Sequence, residues 1–276
     1  MTTDKTNLAT VIIPPYKDWE ALDAILFALS RQTEKNFEVI VSEDGDDPSV
    51  ARICQQHETL NLRHLSQEDL GFRKALALNK AIQSSRTDYL IFLDGDCVPH
   101  SSFVEKHLRL AEKGFVLVGR RMHLGPRFSR ELRKDKSLLQ RLEDPLFRLS
   151  RVIQLHADGV RNFECGAPSA FLHKISQQHY LNLIGCNFSC WAEDIIKING
   201  CDEDLPGCGG EDDDLQWRLE AIGLRMKNVK FQTVVYHLHH LQRRSDVERN
   251  FEIMRSNQAA NRFRCANGIE KKFATN

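Results

Sequence analysis

The chain has 276 residues, 41% of them hydrophobic and 28% charged, and 38 Lys and Arg balance 38 Asp and Glu. A chain of this length can bury a sizeable core without disulfides or structural metals, and its composition is typical of a globular protein. The zero formal net charge argues against wholesale nucleic-acid binding, so we expect no nucleic-acid partner.

The polar N-terminus, the apolar runs and the cysteines of the sequence predict a cytoplasmic location. Residues 1–5 are polar and do not resemble a signal peptide. No apolar run approaches the roughly 20 residues that span a bilayer. The eight cysteines are scattered and contain no Cys-x-x-Cys pair, which argues against a zinc site or a disulfide framework. We therefore expect reduced thiols.

The first hundred residues alternate between strand-like and helix-like segments. Strands are predicted over 10–13, 37–41, 62–65 and 89–93, and helices over 19–31, 48–57 and 72–84. Short apolar runs between amphipathic helices are typical of a parallel sheet covered by helices. Ligands of such sheets bind beyond the carboxyl ends of the strands. Pro14, Asp44 and Asp94 all follow such ends, so we expect them at one edge.

Residues 120–151 are strongly basic, with ten Lys and Arg against four acids and several interleaved leucines. Two interpretations of this segment stay open. It is either a solvated helical insertion packed on the domain, or a basic amphipathic surface that meets anionic lipid. The second interpretation implies peripheral contact with the inner face of a membrane.

Asp94 and Asp96 flank Gly95 directly after the clearest predicted strand. Two carboxylates on such a turn can face one cleft, where a hard divalent cation takes oxygen ligands and shares them with phosphates. The ion then neutralises a diphosphate leaving group. The alternatives are a metal-free surface turn and a phosphatase of the haloacid dehalogenase type, whose motif usually lies near the N-terminus and continues differently.

Four consecutive acids, Glu211 to Asp214, follow a glycine-rich segment and precede a helix predicted over 215–221. Glycines allow close backbone approach to a ligand. Acids complement the positive end of a helix, but capping alone needs only one or two of them. A carboxylate in this run is therefore a candidate general base for a hydroxyl nucleophile.

Three histidines lie in the segment from Val234 to His240. A histidine can complete the coordination shell of a metal ion. If the strand continues, His237 and His239 share one face. For each histidine, a purely structural role is the alternative.

Taken in order, these segments resemble family 2 glycosyltransferases of the GT-A fold. They are most similar to the bacterial chondroitin-polymerase type and to the C-terminal motif of β-1,4-galactosyltransferases. The matching segments are 11–16, 39–45, 71–73 with Asn79, 93–96, 185–189, 199–203, 209–214 and 236–237. The resemblance implies an α/β, Rossmann-like GT-A fold with a mostly parallel sheet flanked by helices.

The resemblance also implies a layout of one domain with a basic helical insertion. The GT-A domain is expected over residues 1–242. Its nucleotide-binding half is 10–120, its basic insertion is 120–155, and its acceptor and catalytic half is 183–242. Residues 243–276 are expected to form a helical tail.

Donor-binding residues follow from the resemblance position by position. Pro14, Tyr16 and Asp44 should hold the uracil and ribose, while Arg73 should contact the base or the diphosphate. Asp94 should touch the ribose or a metal-bound water. The nucleotide-sugar set is completed by Glu43, which stands where many members have an aspartate, and by Asn79.

The metal and catalytic roles also follow from the resemblance. Asp96 should bind Mn²⁺ or Mg²⁺, together with His237 or, as the alternative, His239. Asp212 resembles the catalytic base, and Glu211 should bind the acceptor or donor sugar.

The resemblance implies an inverting, metal-dependent sugar transfer from a UDP-sugar. The basic segment and the expected cytoplasmic location suggest a glycan or lipid-linked acceptor in surface polysaccharide synthesis. Galactose and N-acetylhexosamine donors fit best. One alternative is a sugar-phosphate nucleotidyltransferase, which normally needs a glycine-rich basic loop where this chain has Pro14 and Pro15. A non-catalytic sugar-binding module is the other, and the intact acids argue against it.

Overall fold

The computed structural model describes residues 8–241 and 245–271. The polar N-terminus that we examined for a signal peptide lies outside the described residues. So do residues 242–244, where the expected domain boundary falls, and residues 272–276 of the expected tail. Among the described residues, no helix is long and apolar enough to cross a bilayer.

A sheet of seven strands and a second sheet of three form the framework of the described part of the chain. The strands are β1 (Ala9–Ile13), β2 (Phe37–Ser42), β3 (Leu62–Leu65), β4 (Tyr89–Phe92), β5 (Cys97–Pro99), β6 (Phe115–Val118), β7 (Arg120–His123), β8 (Phe188–Trp191), β9 (Arg225–Asn228) and β10 (Val234–His237). The larger sheet has the order β3-β2-β1-β4-β8-β6-β9, and the smaller one has the order β5-β10-β7.

The larger sheet is mostly parallel, as expected. Strand β8 is the exception, because it runs antiparallel to both β4 and β6. Every residue of β1 and β2 is buried, in keeping with their mainly apolar sequences. Val11 and Ile13 pack into one hydrophobic cluster and Ile12 packs into the other, so helices cover both faces.

Helices fill the connections between the strands. They are α1 (Trp19–Ser30), α2 (Pro48–Gln56), α3 (Lys74–Ser84), α4 (Phe103–Leu110), α5 (Pro126–Lys134), α6 (Leu138–Glu143), α7 (Pro145–Ser150), α8 (Val152–Ala157), α9 (Ala170–Ser176), α10 (Ala192–Lys197), α11 (Glu211–Ala221) and α12 (Val247–Ala259). A short 3₁₀ helix spans Phe163–Gly166.

Two boundaries differ from the expectations in ways that affect the site. Helix α11 begins at Glu211 and not at residue 215, so the four acids form its first turn. Strand β10 ends at His237, so the alternation of side chains that would pair His237 with His239 does not continue. The basic segment forms β7 and then α5 to α7.

Candidate active site

The carboxyl ends of β1 and β4 meet at the floor of a cleft. Gly95 makes this meeting possible, because a Cβ added there would lie 2.7 Å from Pro15 Cα and 3.1 Å from the Pro14 carbonyl oxygen. No larger residue fits without moving the backbone. The turn carrying Asp94 and Asp96 is therefore pressed against the end of β1.

Asp44 and Glu43 follow β2 and order the loops beside the cleft. The buried Asp44 carboxylate accepts hydrogen bonds from Gln67 Nε2 at 2.7 Å and from the Arg73 backbone N–H at 2.5 Å. Glu43 accepts the Asp47 N–H at 2.9 Å and lies 3.1 Å from His64 Nε2. Both acids thus anchor the chain segments that border the expected nucleotide position.

Two further residues of the expected donor set, Tyr16 and Arg73, lie on the same side of the cleft as Asp44. The Tyr16 ring meets the edge of the Phe72 ring, with centroids 6.4 Å apart and planes at 80°. The Arg73 guanidinium donates to the Glu68 carbonyl oxygen. These contacts bring β1 and the segment before α3 together around the mouth of the cleft.

Asn79 is placed differently from its expected role. It is buried, its Nδ2 donates to the Cys201 carbonyl at 2.9 Å and to Glu203 Oε1 at 2.8 Å, and its Oδ1 accepts the Cys201 N–H at 2.8 Å. Its amide is thereby committed to the loop at 201–203. The structure does not bring Asn79 together with the other nucleotide-side residues.

Asp96, His237 and His240 form a compact group whose ligand atoms all lie within 4.8 Å of one another. His240 Nε2 is 3.0 Å from Asp96 Oδ2, and His237 Nε2 is 3.6 Å from Asp96 Oδ1. Pairing of β10 with β5 sets His237 opposite Cys97, next to Asp96. One carboxylate and two imidazoles are a donor set that suits a divalent transition metal such as Mn²⁺.

His239 lies outside this group. Its side chain is exposed, and its backbone N–H donates to Ser129 Oγ at 2.8 Å. The chain turns after β10 ends, and this turn returns His240 to within 3.3 Å of His237 Nε2. His237, and not the alternative His239, thus lies beside Asp96, and His240, which the strand alternation did not suggest, joins them.

The protonation states of this group suit metal binding. Burial opposes ionisation of Asp96, but the hydrogen bond from His240 holds the pKa of this carboxyl group below its usual range. Burial is also the main reason that the pKa of His237 is lowered. An ionised carboxylate and a neutral imidazole are the forms that coordinate metals.

Asp212 and Lys74 meet over Gly185. Asp212 Oδ2 accepts the Gly185 N–H at 2.8 Å, and Lys74 Nζ lies 2.6 Å from Asp94 Oδ1. A Cβ added to Gly185 would lie 2.7 Å from Asp212 Oδ1 and 3.3 Å from Lys74 Nζ. A lysine at the start of α3 thus links the acid after β4 to the acid in the first turn of α11.

The pKa values in this cluster reflect burial and mutual charge. Burial, Asp94 and Glu211 raise the pKa of Asp212, Lys74 and the Gly185 N–H lower it, and the resulting pKa is about 6. Burial lowers the pKa of Lys74, but Asp94, Asp212 and Glu211 raise it well above the ordinary value. A carboxyl group that titrates close to neutral pH has the property a general base needs.

The remaining acids of the run have different surroundings. Glu211 accepts the Gly209 N–H at 2.5 Å and borders the cleft. Asp213 is exposed, whereas Asp214 is buried and pairs with Arg218 at 2.7 Å. Arg218 also donates to the carbonyls of Ile198 at 3.2 Å and Gly200 at 2.6 Å, which fastens α11 to the turn before the glycine-rich segment.

A pocket of about 400 Å³ adjoins Asp212. This size is within the range of small-molecule sites. Its wall combines apolar and acidic side chains, among them Phe72, Leu205, Pro206, Asp202, Glu211 and Asp212. Such a wall can pack against the apolar face of a sugar ring and accept hydrogen bonds from its hydroxyls.

Lys74 and His240 are the site residues that sequence reasoning missed. Lys74 left a signal, because a cation in the first turn of a helix opposes the helix dipole and needs compensation by acids. For His240, the sequence offers only its spacing from His237 as a sign that it belongs to the site. That spacing is informative only when the end of β10 is known.

Known proteins share sequence and fold with this chain. Residues 10–177 match the profile of glycosyl transferase family 2, and residues 168–241 match that of the N-terminal domain of galactosyltransferase. The validoxylamine A glucosyltransferase of Streptomyces hygroscopicus subsp. jinggangensis is 30% identical over 231 residues, covering 81% of this chain and 54% of that protein. The chondroitin synthase of Escherichia coli is 22% identical, covering 83% of this chain and 34% of that protein.

The chain therefore spans about half of the first relative and a third of the second. Among solved structures, GalNAc-T7 with UDP, GalNAc and Mn²⁺ superposes with a TM-score of 0.62 at 13% identity. The overlap covers 92% of this chain and 48% of GalNAc-T7, and at that identity it shows the fold alone. The expected GT-A fold is thus confirmed. The family profile covers more than half of the residues, so the chain belongs to glycosyl transferase family 2.

Proposed function

We propose that this chain is an inverting, metal-dependent glycosyltransferase that uses a UDP-sugar donor. The observation that carries the proposal is the position of Asp212. It is a carboxyl group with a pKa of about 6, and the Lys74–Asp94 ion pair joins it to the turn that carries Asp96. A single base near a metal group is what direct displacement requires.

In this proposal, the ends of β1, β2 and β4 bind the nucleotide. Pro14, Tyr16 and Asp44 hold the uridine, with Glu43 and Gln67 fixing the loop around it. Arg73 and Asp94 border the diphosphate and ribose. Asn79 supports the opposite wall through its hydrogen bonds to Cys201 and Glu203, and this is the role we assign to it.

Asp96, His237 and His240 are the residues that would hold the metal ion. Mn²⁺ suits this set better than Mg²⁺, because Mg²⁺ prefers oxygen ligands whereas two of the three ligands here are imidazoles. A divalent ion bound there would neutralise negative charge on the departing diphosphate.

Asp212 is the proposed base. Its carboxylate accepts the proton of the acceptor hydroxyl, and the hydroxyl oxygen bonds to the anomeric carbon from the face opposite UDP. The bond from that carbon to the diphosphate oxygen breaks, and UDP leaves with the electron pair. An α-linked donor thus gives a β-linked product. Glu211 binds a hydroxyl of the acceptor or of the donor sugar.

The donor and acceptor are proposed by class. Galactose and N-acetylhexosamine donors are favoured, and glucose is included because one relative is a glucosyltransferase. The acceptor is a glycan or a lipid-linked saccharide on the cytoplasmic side of surface polysaccharide synthesis, in keeping with the chondroitin synthase relative. In this layout the catalytic domain is residues 1–242, and a C-terminal tail follows it, whose described part contains α12.

A panel of UDP-sugars tests the proposal. The protein is incubated with Mn²⁺ and each donor, with and without saccharide acceptors, and release of UDP is measured. The variant Asp96→Ala, which lacks one of the proposed metal ligands, is the negative control. We expect release from at least one UDP-sugar that disappears in Asp96→Ala and with a chelator. Pyrophosphate release from UTP and a sugar phosphate, with no UDP release from any donor, would contradict the proposal.

A further inference from the structure

Helices α7 and α8 carry a line of exposed aliphatic side chains. Only Arg151 separates the two helices. Leu146, Leu149 and Ile153 are 75%, 67% and 80% exposed. Their spacing of three and then four residues sets them on one helical face, called the outer stripe below. Large aliphatic side chains aligned in water in this way are typical of a binding surface.

The opposite side of these helices is firmly packed. Leu155 belongs to the main hydrophobic cluster and is buried. Arg148 is buried too, and its guanidinium donates to the Leu142 carbonyl at 3.2 Å and to the Gly166 carbonyl. The helices are therefore fixed by their inner side, and the outer stripe contributes nothing to this packing.

Positive charge surrounds the outer stripe in the sequence. The exposed basic residues between 126 and 161 are Arg127, Arg130, Lys134, Arg141, Arg151 and Arg161, and the exposed acids are Glu131, Asp135 and Asp144. Glu131 is paired with Arg127 at 2.9 Å. The Asp144 carboxylate accepts the Leu146 N–H at 2.9 Å and so caps α7. In a chain of zero formal net charge, this segment is locally basic.

We propose that the outer stripe docks the protein on an anionic membrane surface. The aliphatic side chains enter the headgroup boundary, while Arg141 and Arg151 meet the phosphates. Apolar residues flanked by arginines bind anionic interfaces through both burial and charge. A lipid-linked acceptor would bring the enzyme to a membrane, so the purpose of the docking rests on the proposed function. The physical argument for the docking does not rest on it.

Vesicle sedimentation tests the docking. The full chain is mixed with vesicles of phosphatidylcholine alone or of phosphatidylcholine with phosphatidylglycerol. We expect binding to the anionic vesicles only, and weaker binding as salt rises. Leu149→Glu with Ile153→Glu should lower that binding at least about tenfold, because two apolar contacts are lost and two negative charges are added.

A matched control lies on α9, where Phe171 and Ile175 are 72% and 59% exposed. Phe171→Glu with Ile175→Glu adds the same charges outside the outer stripe and should leave vesicle binding unchanged. Equal losses in both double variants, or no binding by the unaltered protein, would overturn the docking proposal. So would a dimer in light scattering that the stripe variant dissociates, because the stripe would then be an interface between copies.

Release of UDP without vesicles separates this proposal from the proposed function. Both double variants should keep it, since the changed residues lie outside the site. If UDP release is intact but the protein does not bind vesicles, only the docking proposal is rejected. Intact vesicle binding without UDP release from any donor rejects the catalytic proposal alone.

Discussion

Lys74 Nζ lies 2.6 Å from Asp94 Oδ1, and both residues act on the charge of Asp212. Asp94 follows β4, Lys74 begins α3, and Asp212 lies in the first turn of α11. The three residues come from distant parts of the chain, and Gly185 leaves the space in which Lys74 and Asp212 meet. The donor side and the proposed base are thus electrostatically linked.

The linkage predicts the pH dependence of the reaction. Asp212 accepts a proton only when ionised, and burial raises its pKa to about 6. We therefore expect kcat/KM to rise with pH through about 6 and then to level off. A rate that falls as pH rises through this range would exclude Asp212 as the base. The profile is measured as UDP release at saturating Mn²⁺.

Replacing Lys74 should move this profile. Lys74→Met removes the cation that lowers the Asp212 pKa, so the rising limb should shift to higher pH by about 1–3 units, the usual effect of a nearby opposite charge. Lys74→Arg keeps the charge and should shift the limb less. A Lys74→Met enzyme with an unmoved limb would show that the lysine has only a structural role.

His240 and His239 provide a neighbouring pair for testing the metal group. His240→Ala removes one of three ligands and should weaken Mn²⁺ binding by at least about tenfold, as the loss of even outer metal partners does. His239→Ala should leave it unchanged, because that side chain points to solvent. Calorimetric titration with Mn²⁺ measures both, and equal affinities for the two variants would reject His240 as a ligand.

Asp214 and Arg218 form a buried ion pair, so removing one partner alone should destabilise the catalytic half. Arg218→Met leaves the Asp214 carboxylate buried without its partner and should lower the free energy of unfolding by about 3–5 kcal/mol. The double variant Arg218→Met with Asp214→Leu should recover most of that loss. Denaturant unfolding measures both, and a double variant no more stable than the single one would contradict this account.

Much of the fold could be predicted because it depends on local pattern. The apolar runs that became β1, β2 and β4 and the helical spacing of α1 to α3 lie within single segments of sequence. The position of β8 between β4 and β6 could not be predicted, since Phe188 of β8 pairs with Phe92 and Val118, which lie far from it in the sequence.

The site residues also divide into those that local sequence pattern locates and those that depend on tertiary contacts. Asp94, Asp96, Asp212 and His237 stand at strand or helix ends, where sequence pattern locates them. His240 depends on a turn after β10, and Lys74 depends on three segments converging. The inward direction of Asp214 depends on α11 beginning at Glu211, four residues before the predicted start. These features are set by tertiary contacts, which spacing alone does not encode.

Asp212→Asn tests whether Asp212 is the base that deprotonates the acceptor hydroxyl. UDP affinity and Mn²⁺-dependent turnover are measured side by side on this variant, with Asp213→Asn, the exposed neighbour, as control. We expect Asp212→Asn to lower kcat by about 10²–10⁴-fold or more while UDP binding stays largely intact, and Asp213→Asn to retain activity. Lost UDP affinity with preserved turnover would contradict the assignment.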